Sequence, residues 1–270
     1  MKKLQFGYHM KLTFSDYVKN HRFSLKCVPH DNDLQKIENM SVEVYPDNVT
    51  SEDEDSYGNI TLFGYTNELH NSFGFDVKGI AVTGREEYEK ADELHKIGIF
   101  KYQTQKTKPG LRILEFYQKL DLKRFGSATD KATAIMDSLS EAFQYVQGIT
   151  DMETTAEEAF AGGCGVCQDY AHIMLSLCRM ERIPCRYVAG MMMGEGLSHA
   201  WVEIWNEGRW IGYDPTNHKL VNDEYIKISN GRDSEDCLVN QGIFTGNVSQ
   251  MQEINVVVEE VFDEWNNRIN

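Results

Sequence analysis

Cys167, His199 and Asp214 are a thiol, an imidazole and a carboxylate, each in a local context that could make it reactive. A thiolate attacks a carbonyl carbon. An imidazole takes and returns the proton, and a carboxylate fixes the imidazole tautomer. Together the three perform nucleophilic acyl transfer. Cys167 stands in the run Gly162-Gly-Cys-Gly-Val-Cys-Gln-Asp-Tyr-Ala-His. His199 opens His-Ala-Trp-Val-Glu-Ile-Trp, and Asp214 closes Trp-Ile-Gly-Tyr-Asp before Pro215.

Those residues need elements to hold them. Ala171, Met174, Leu175 and Cys178 follow Cys167 at helical spacing, which predicts an amphipathic helix with Cys167 in its first turn. Gly162, Gly163 and Gly165 let the backbone turn tightly just before it. The first N–H groups of a helix have no intrahelical partner and carry partial positive charge, so they favour a thiolate and can hold an oxyanion. A free cysteine otherwise packs as a small hydrophobe. Cys178 and Cys185, in apolar surroundings, read that way.

The run from His199 alternates as a strand, with His199, Trp201, Glu203 and Trp205 on one face. Asn206-Glu-Gly-Arg is a turn signal, and Trp210 to Asp214 resumes a strand. A hairpin tipped by Glu207-Gly208 puts Trp205 opposite Trp210 and Trp201 opposite Asp214. His199 is then diagonal to Asp214 on one face, roughly 7–8 Å away at the backbone, within reach of their side chains. A three-residue loop would break this register. Taken singly, His199 could be a packed histidine, and Asp214 a turn residue before proline.

At these residues the chain resembles the transglutaminase-like superfamily, in particular its bacterial members labelled as cysteine proteases. The matching stretches are Thr154-Thr-Ala-Glu-Glu-Ala, Gly165-Val-Cys-Gln-Asp-Tyr-Ala-His, Ile183-Pro-Cys-Arg-Tyr-Val-Ala-Gly, Ser198-His-Ala-Trp-Val-Glu and Tyr213-Asp-Pro-Thr-Asn, with Gly231-Arg-Asp and Gly242-Ile-Phe-Thr-Gly further on. The resemblance implies that Cys167 is the nucleophile, His199 the base and later the acid, and Asp214 its orienter. It also implies a papain-like core, a cysteine-bearing helix packed on an antiparallel sheet. Asp55-Ser-Tyr-Gly-Asn, Leu69-His-Asn-Ser-Phe and Ile80-Ala-Val-Thr-Gly are similar to the β-rich domain that precedes this core in those proteins. Met180-Glu-Arg-Ile-Pro-Cys and the methionine run from Met191 depart from the usual pattern without touching the triad.

Two rivals compete. Cys164-Gly-Val-Cys167 is a C-x-x-C pair at a helix start, which is redox chemistry, but no βαβ pattern frames it. A zinc site would need about four ligands, and no second pair is matched to it. The other rival is a non-catalytic binding module on the same fold. Gln168 and Trp201 are candidate substrate contacts, although Trp201, Trp205 and Trp210 also read as hairpin packing. Asp169 and His172 read as local hydrogen-bonding groups, and Arg232 and Asp233 as an ion pair.

The 270 residues carry a formal net charge of −15, which argues against nucleic acid or an acidic membrane surface as partner. No apolar stretch approaches the roughly 20 residues of a membrane span, and the opening Met1-Lys-Lys-Leu-Gln lacks the apolar core of a signal peptide. Six scattered cysteines suit a reducing cytoplasm. Strands are expected at 22–28, 41–45, 60–65, 73–77, 79–82 and 253–261, and helices at 85–96, 111–120 and 128–147. Ser51-Glu-Asp-Glu-Asp reads as a solvated acidic loop.

The expected protein is α+β: a small sandwich-like all-β domain over 1–85, a helical connector over 86–125, and a transglutaminase-like catalytic domain over 126–270. Its substrate would be a peptide or protein amide, with no metal or cofactor in the mechanism. The oligomeric state is not encoded in these motifs.

Overall fold

A computed structural model describes residues 1–46, 49–90 and 96–262. The chain opens with antiparallel strands β1 (Lys2–Leu25), β2 (Gln35–Tyr45), β3 (Val49–Glu54), β4 (Ile60–Thr66) and β5 (His70–Thr83). Leu4, Phe6, Tyr8, Met10, Leu12 and Phe14 are all buried, a strict period of two along β1. The ladder of β1 with β5 shifts register between Thr13 and Val18. Beyond that irregularity β1 leaves β5 for β4, and the sheet curls into a half-barrel.

The middle of the chain supplies β6 (Glu89–Lys90), α1 (Leu111–Lys119), α2 (Ala128–Ala142), β7 (Gln144–Tyr145), α3 (Ala156–Gly162), β8 (Cys164–Gly165) and α4 (Cys167–Met180). The helix expected at 85–96 is not formed over 85–90, where bends lead into β6; residues 91–95 lie outside the described residues. Its charged residues are instead used singly, as Glu89 pairs with buried Arg186 and Lys227. The helices expected at 111–120 and from 128 are present, although the second stops at Ala142. Ser127 Oγ accepts from Asp130 N–H at its start, and Ile135 and Leu139 bury its inner face.

The second sheet follows: β9 (Cys185–Met192), β10 (Gly194–Gly196), β11 (His199–Asn206), β12 (Arg209–Asp214), β13 (Lys219–Leu220) and β14 (Tyr225–Gly231). Its strands lie in the order β13-β12-β11-β9-β14, with β6 on β12, while β10 leaves for the first sheet. Asn206 faces Arg209, Trp205 faces Trp210 and Val202 faces Tyr213, the register expected from sequence. Glu207 and Gly208 both have positive φ (49° and 86°), as a two-residue hairpin turn requires. The core beneath α4 joins Ile173, Leu177, Ile135 and Leu139 to Val202 and Ile204.

The last strands, β15 (Asn240–Thr245) and β16 (Gln250–Glu260), return to β1 of the first sheet. Sheet pairing therefore does not follow a single cut in the chain near residue 125. Met191, Ile226 and Ile228 of the second sheet also pack into the core of the first. Between them, two buried amides complete the outer edge of β14. Gln35 bonds the main chain of Lys227 in both directions, and Asn59 does the same for Asn230. Each amide replaces the neighbouring strand that β14 lacks on that side.

Candidate active site

The approach to Cys167 is built by three local devices. Thr155 and Glu158 cap α3 reciprocally, and Gly163 ends that helix at φ 77°. Val166 N–H and Thr150 Oγ1 then both donate to Asp169 Oδ2, at 2.8 and 2.6 Å. A Cβ on Gly165 would stand 2.4 Å from that same oxygen, so no side chain fits there. Burial raises the Asp169 pKa, against the bonds from Thr150 and Val166. The result is a fixed turn that delivers Cys167 as the first residue of α4.

His199 is the first residue of β11 and stands opposite Gly190 of β9. Its Nε2 lies 2.7 Å from Asp214 Oδ2, and His199 lines the same cleft as Cys167. With Nε2 committed to the carboxylate, Nδ1 is the nitrogen left for the thiol. Burial lowers the His199 pKa, but the bonds to Asp214 and Cys167 and their charges outweigh it and raise the value to about 9.

Asp214 is fully buried and saturated. Its Oδ2 also accepts from Tyr225 Oη and Asn217 Nδ2, each at 2.7 Å, and its Oδ1 accepts from the N–H groups of Thr216 and Asn217. Burial pushes the Asp214 pKa up, yet His199, Tyr225 and Asn217 together hold it below the ordinary range. Five donors on one carboxylate leave it no freedom to rotate, so it holds the imidazole in one orientation. Trp201 packs edge-on against Tyr225 at 5.4 Å between ring centres.

Cys167 and His199 open onto a cleft of about 450 Å³, with Tyr145, Met193, Glu195 and Leu197 among its lining residues. The structure brings His199 onto Asp214 and sets Cys167 and His199 on one cleft. It does not bring Trp201 or Gln168 to the cleft. Trp201 is 1% exposed and packs with Val188 and Tyr225, so the substrate contact expected of it is corrected to packing. Gln168, the second residue of α4, is half-buried and lines no part of this cleft. Cys164 is unbridged, as are the other five cysteines, and its Sγ faces Gly162 O at 3.7 Å. Arg232 pairs with Asp236 rather than Asp233, which instead accepts from Glu235 N–H. His172 is buried, accepts from Ser234 N–H and is pushed down to about 3 by burial and by the charges of Lys106 and Arg179.

Tyr225 and Asn217 are the site residues that sequence reasoning did not single out. Asn217 closes the Tyr213-Asp-Pro-Thr-Asn run and could have been found as a turn residue bonding back to Asp214. Tyr225 had no local signal, because it reaches Asp214 only through the pairing of β14 with β9.

Residues 122–215, which contain all three groups, match the transglutaminase-like superfamily. This stretch is similar to a transglutaminase-like core. An uncharacterized protein of Mycobacterium leprae is 38% identical over 125 residues, 43% of this chain and 44% of that protein. One from Mycobacterium bovis is 34% identical over 135 residues, 44% and 43% of the two chains. The match therefore spans less than half the length of these relatives. Among solved structures, a candidate cysteine protease from Cytophaga hutchinsonii superposes with a TM-score of 0.76 at 22% identity, covering 98% of this chain and 93% of that one. That likeness extends the shared fold beyond the transglutaminase-like core to the half-barrel.

Proposed function

We propose that this protein is a thiol-dependent amide hydrolase or acyl transferase, acting on peptide or isopeptide amides through Cys167, His199 and Asp214. The observation that carries the reading is buried Asp214 bonded to His199, with His199 and Cys167 lining one open cleft.

His199 takes the proton of Cys167 and becomes an imidazolium beside Asp214. The sulfur attacks the amide carbonyl, forming a C–S bond and moving the carbonyl electron pair onto oxygen. The N–H groups at the start of α4 would bond that oxyanion. Collapse breaks the C–N bond, and the departing amine takes the proton from His199. Water, deprotonated by His199, attacks the thioester and releases the acid and the thiolate. A primary amine in place of water gives transamidation. Hydrolysis is the proposed outcome, with a peptide or protein amide as partner. The six unbridged cysteines support a reducing compartment, the cytoplasm.

The test is iodoacetamide labelling of each cysteine across pH, read by mass spectrometry, in wild type and in His199→Ala. Cys164 is half-buried like Cys167 and serves as the internal reference. Cys167 is expected to label well ahead of Cys164 at neutral pH and to lose that lead in the variant. Equal labelling of the two, unchanged by the mutation, would reject the proposal in favour of a non-catalytic module.

A further inference from the structure

The segment joining β9 to β11 carries a strand edge into the cleft. β10 pairs with β16, with Gly194 opposite Val258, Glu195 opposite Val257 and Gly196 opposite Val256. No strand lies on its other side among the described residues, so β10 ends the sheet.

The direction of its main-chain groups can be worked out. Val261 N–H donates to Lys3 O at 2.7 Å, and Ser15 N–H to Ser249 O at 2.9 Å. In the register of β1 with β16 these are directly opposed pairs. Odd-numbered residues of β16 therefore turn their N–H and C=O groups toward β1, and even-numbered ones turn theirs toward β10. Val256 and Val258 thus bond Gly196 and Gly194, which leaves Glu195 with N–H and C=O directed away from β16. Met193 obeys the same parity, since its N–H leaves the far side to reach Glu224 O at 2.9 Å.

That open pair lies on the cleft that holds Cys167 and His199. A Cβ on Gly196 would meet nothing within 4 Å, so packing does not demand glycine there. With glycine on both sides of Glu195, β10 offers a bare backbone flanked by space for the side chains of an incoming strand. Exposed Leu197 and Tyr145 give the cleft an apolar rim. Among the described residues lining it, Glu195 is the only fixed charge.

We propose that the substrate is an extended polypeptide whose main chain pairs with Glu195, adding a strand to the edge of β10 and carrying its scissile amide to Cys167. The inference rests on the amide-cleaving reading above and narrows it. Recognition comes from the substrate backbone beside the scissile bond, as in other strand additions at sheet edges, with small or apolar side chains and no acidic group next to Glu195. The N-terminal half-barrel, through β1 and β16, is then the support of the substrate site.

The experiment compares rates of Cys167 labelling by acetyl-Gly chloromethyl ketone, acetyl-Ala-Leu-Ala-Gly chloromethyl ketone, and the longer reagent N-methylated at one amide at a time. In each case sulfur displaces chloride, and iodoacetamide sets the intrinsic thiol reactivity. The tetrapeptide reagent is expected to label at least about tenfold faster than the short one, the scale of one or two main-chain hydrogen bonds. N-methylation should remove that gain at one inner amide and spare its immediate neighbours, because a strand edge is read at every second residue. Glu195→Pro, which deletes the N–H, should remove the gain of the long reagent over the short one. Equal rates for the short and long reagents, or equal losses at every N-methylated position, would overturn the strand-edge proposal alone. Slow iodoacetamide labelling that ignores His199→Ala would overturn the amide-cleaving reading, and this inference with it.

Discussion

His199 and Glu203 lie on the same face of β11 with Trp201 between them, and each belongs to a buried carboxylate–cation cluster. Glu203 Oε2 accepts from Arg186 Nε at 2.5 Å and Lys227 Nζ at 3.1 Å. Glu89 bridges the same two cations, at 3.0 and 2.8 Å, and the Arg186 guanidinium lies 4.2 Å from the centre of the Trp210 ring. Burial would raise the Glu89 pKa, but Arg186 and Lys227 hold it below the ordinary carboxylate range. Burial likewise disfavours charged Arg186, yet Glu203 and Glu89 raise its pKa. Neither group changes charge near neutral pH.

At the other end of the strand the cation is an imidazole, whose ordinary pKa is near neutrality, and it shares an open cleft with the Cys167 thiol. Both clusters use a desolvated carboxylate and several donors. One joins permanent charges and closes over them, which makes a seam between β9, β14 and β6. The other joins a group that can lose its proton, and it opens on the cleft. On the proposed function, a structural and a reactive ion pair on this strand differ in the choice of cation and one open side.

The comparison breaks most sharply under mutation. Asp214→Asn should lower turnover of p-nitrophenyl acetate by roughly 10³–10⁴-fold, because an amide in that cage no longer stabilises the imidazolium. Glu203→Ala should do the reverse. It leaves buried Arg186 and Lys227 to share Glu89 as their remaining anion and should cost about 3–5 kcal/mol in urea unfolding, while Cys167 alkylation in the folded protein stays near wild type.

A pH titration of stability sharpens it further. His199 is raised to about 9 in the fold, against about 6.5 in an unfolded chain. Its contribution is fully present below about pH 6.5 and is lost as pH rises through 9, an upper bound of about 3 kcal/mol that Asp214→Asn should largely remove. His172, held near 3, acts in the opposite window and costs stability as pH falls below about 6.5. Glu89, held below the ordinary carboxylate range, and Arg186, held above its own, should add no pH dependence in either window above the carboxylate region. The smallest effect is Tyr225→Phe, which removes one donor from Asp214 and should cost about 1–3 kcal/mol with a modest fall in turnover.

Much of this site was legible because it is local. The hairpin register followed from a two-residue turn and an alternating face, and the Cys167 helix from its apolar spacing. What failed was long-range or overlooked. Glu203, Arg186, Lys227 and Glu89 come from four strands, and no spacing along the chain announces them. Tyr225 meets Asp214 for the same reason. The return of β15 and β16 to β1 joins the two ends of the chain, which a linear division into domains does not anticipate. β1 is different, since the alternation from Leu4 to Phe14 was visible in the residues, yet only its end near 22–28 read as strand. The separate strands expected at 73–77 and 79–82 are one, β5.

The most direct test of the assembled triad is the titration of the His199 ring by NMR, in wild type and in Cys167→Ser. The wild-type midpoint is predicted near 9 and should fall when the thiol is replaced, since Asp214 and Cys167 both support the charged ring. A wild-type midpoint near 6.5, unmoved by the substitution, would contradict a Cys–His–Asp relay in the free protein.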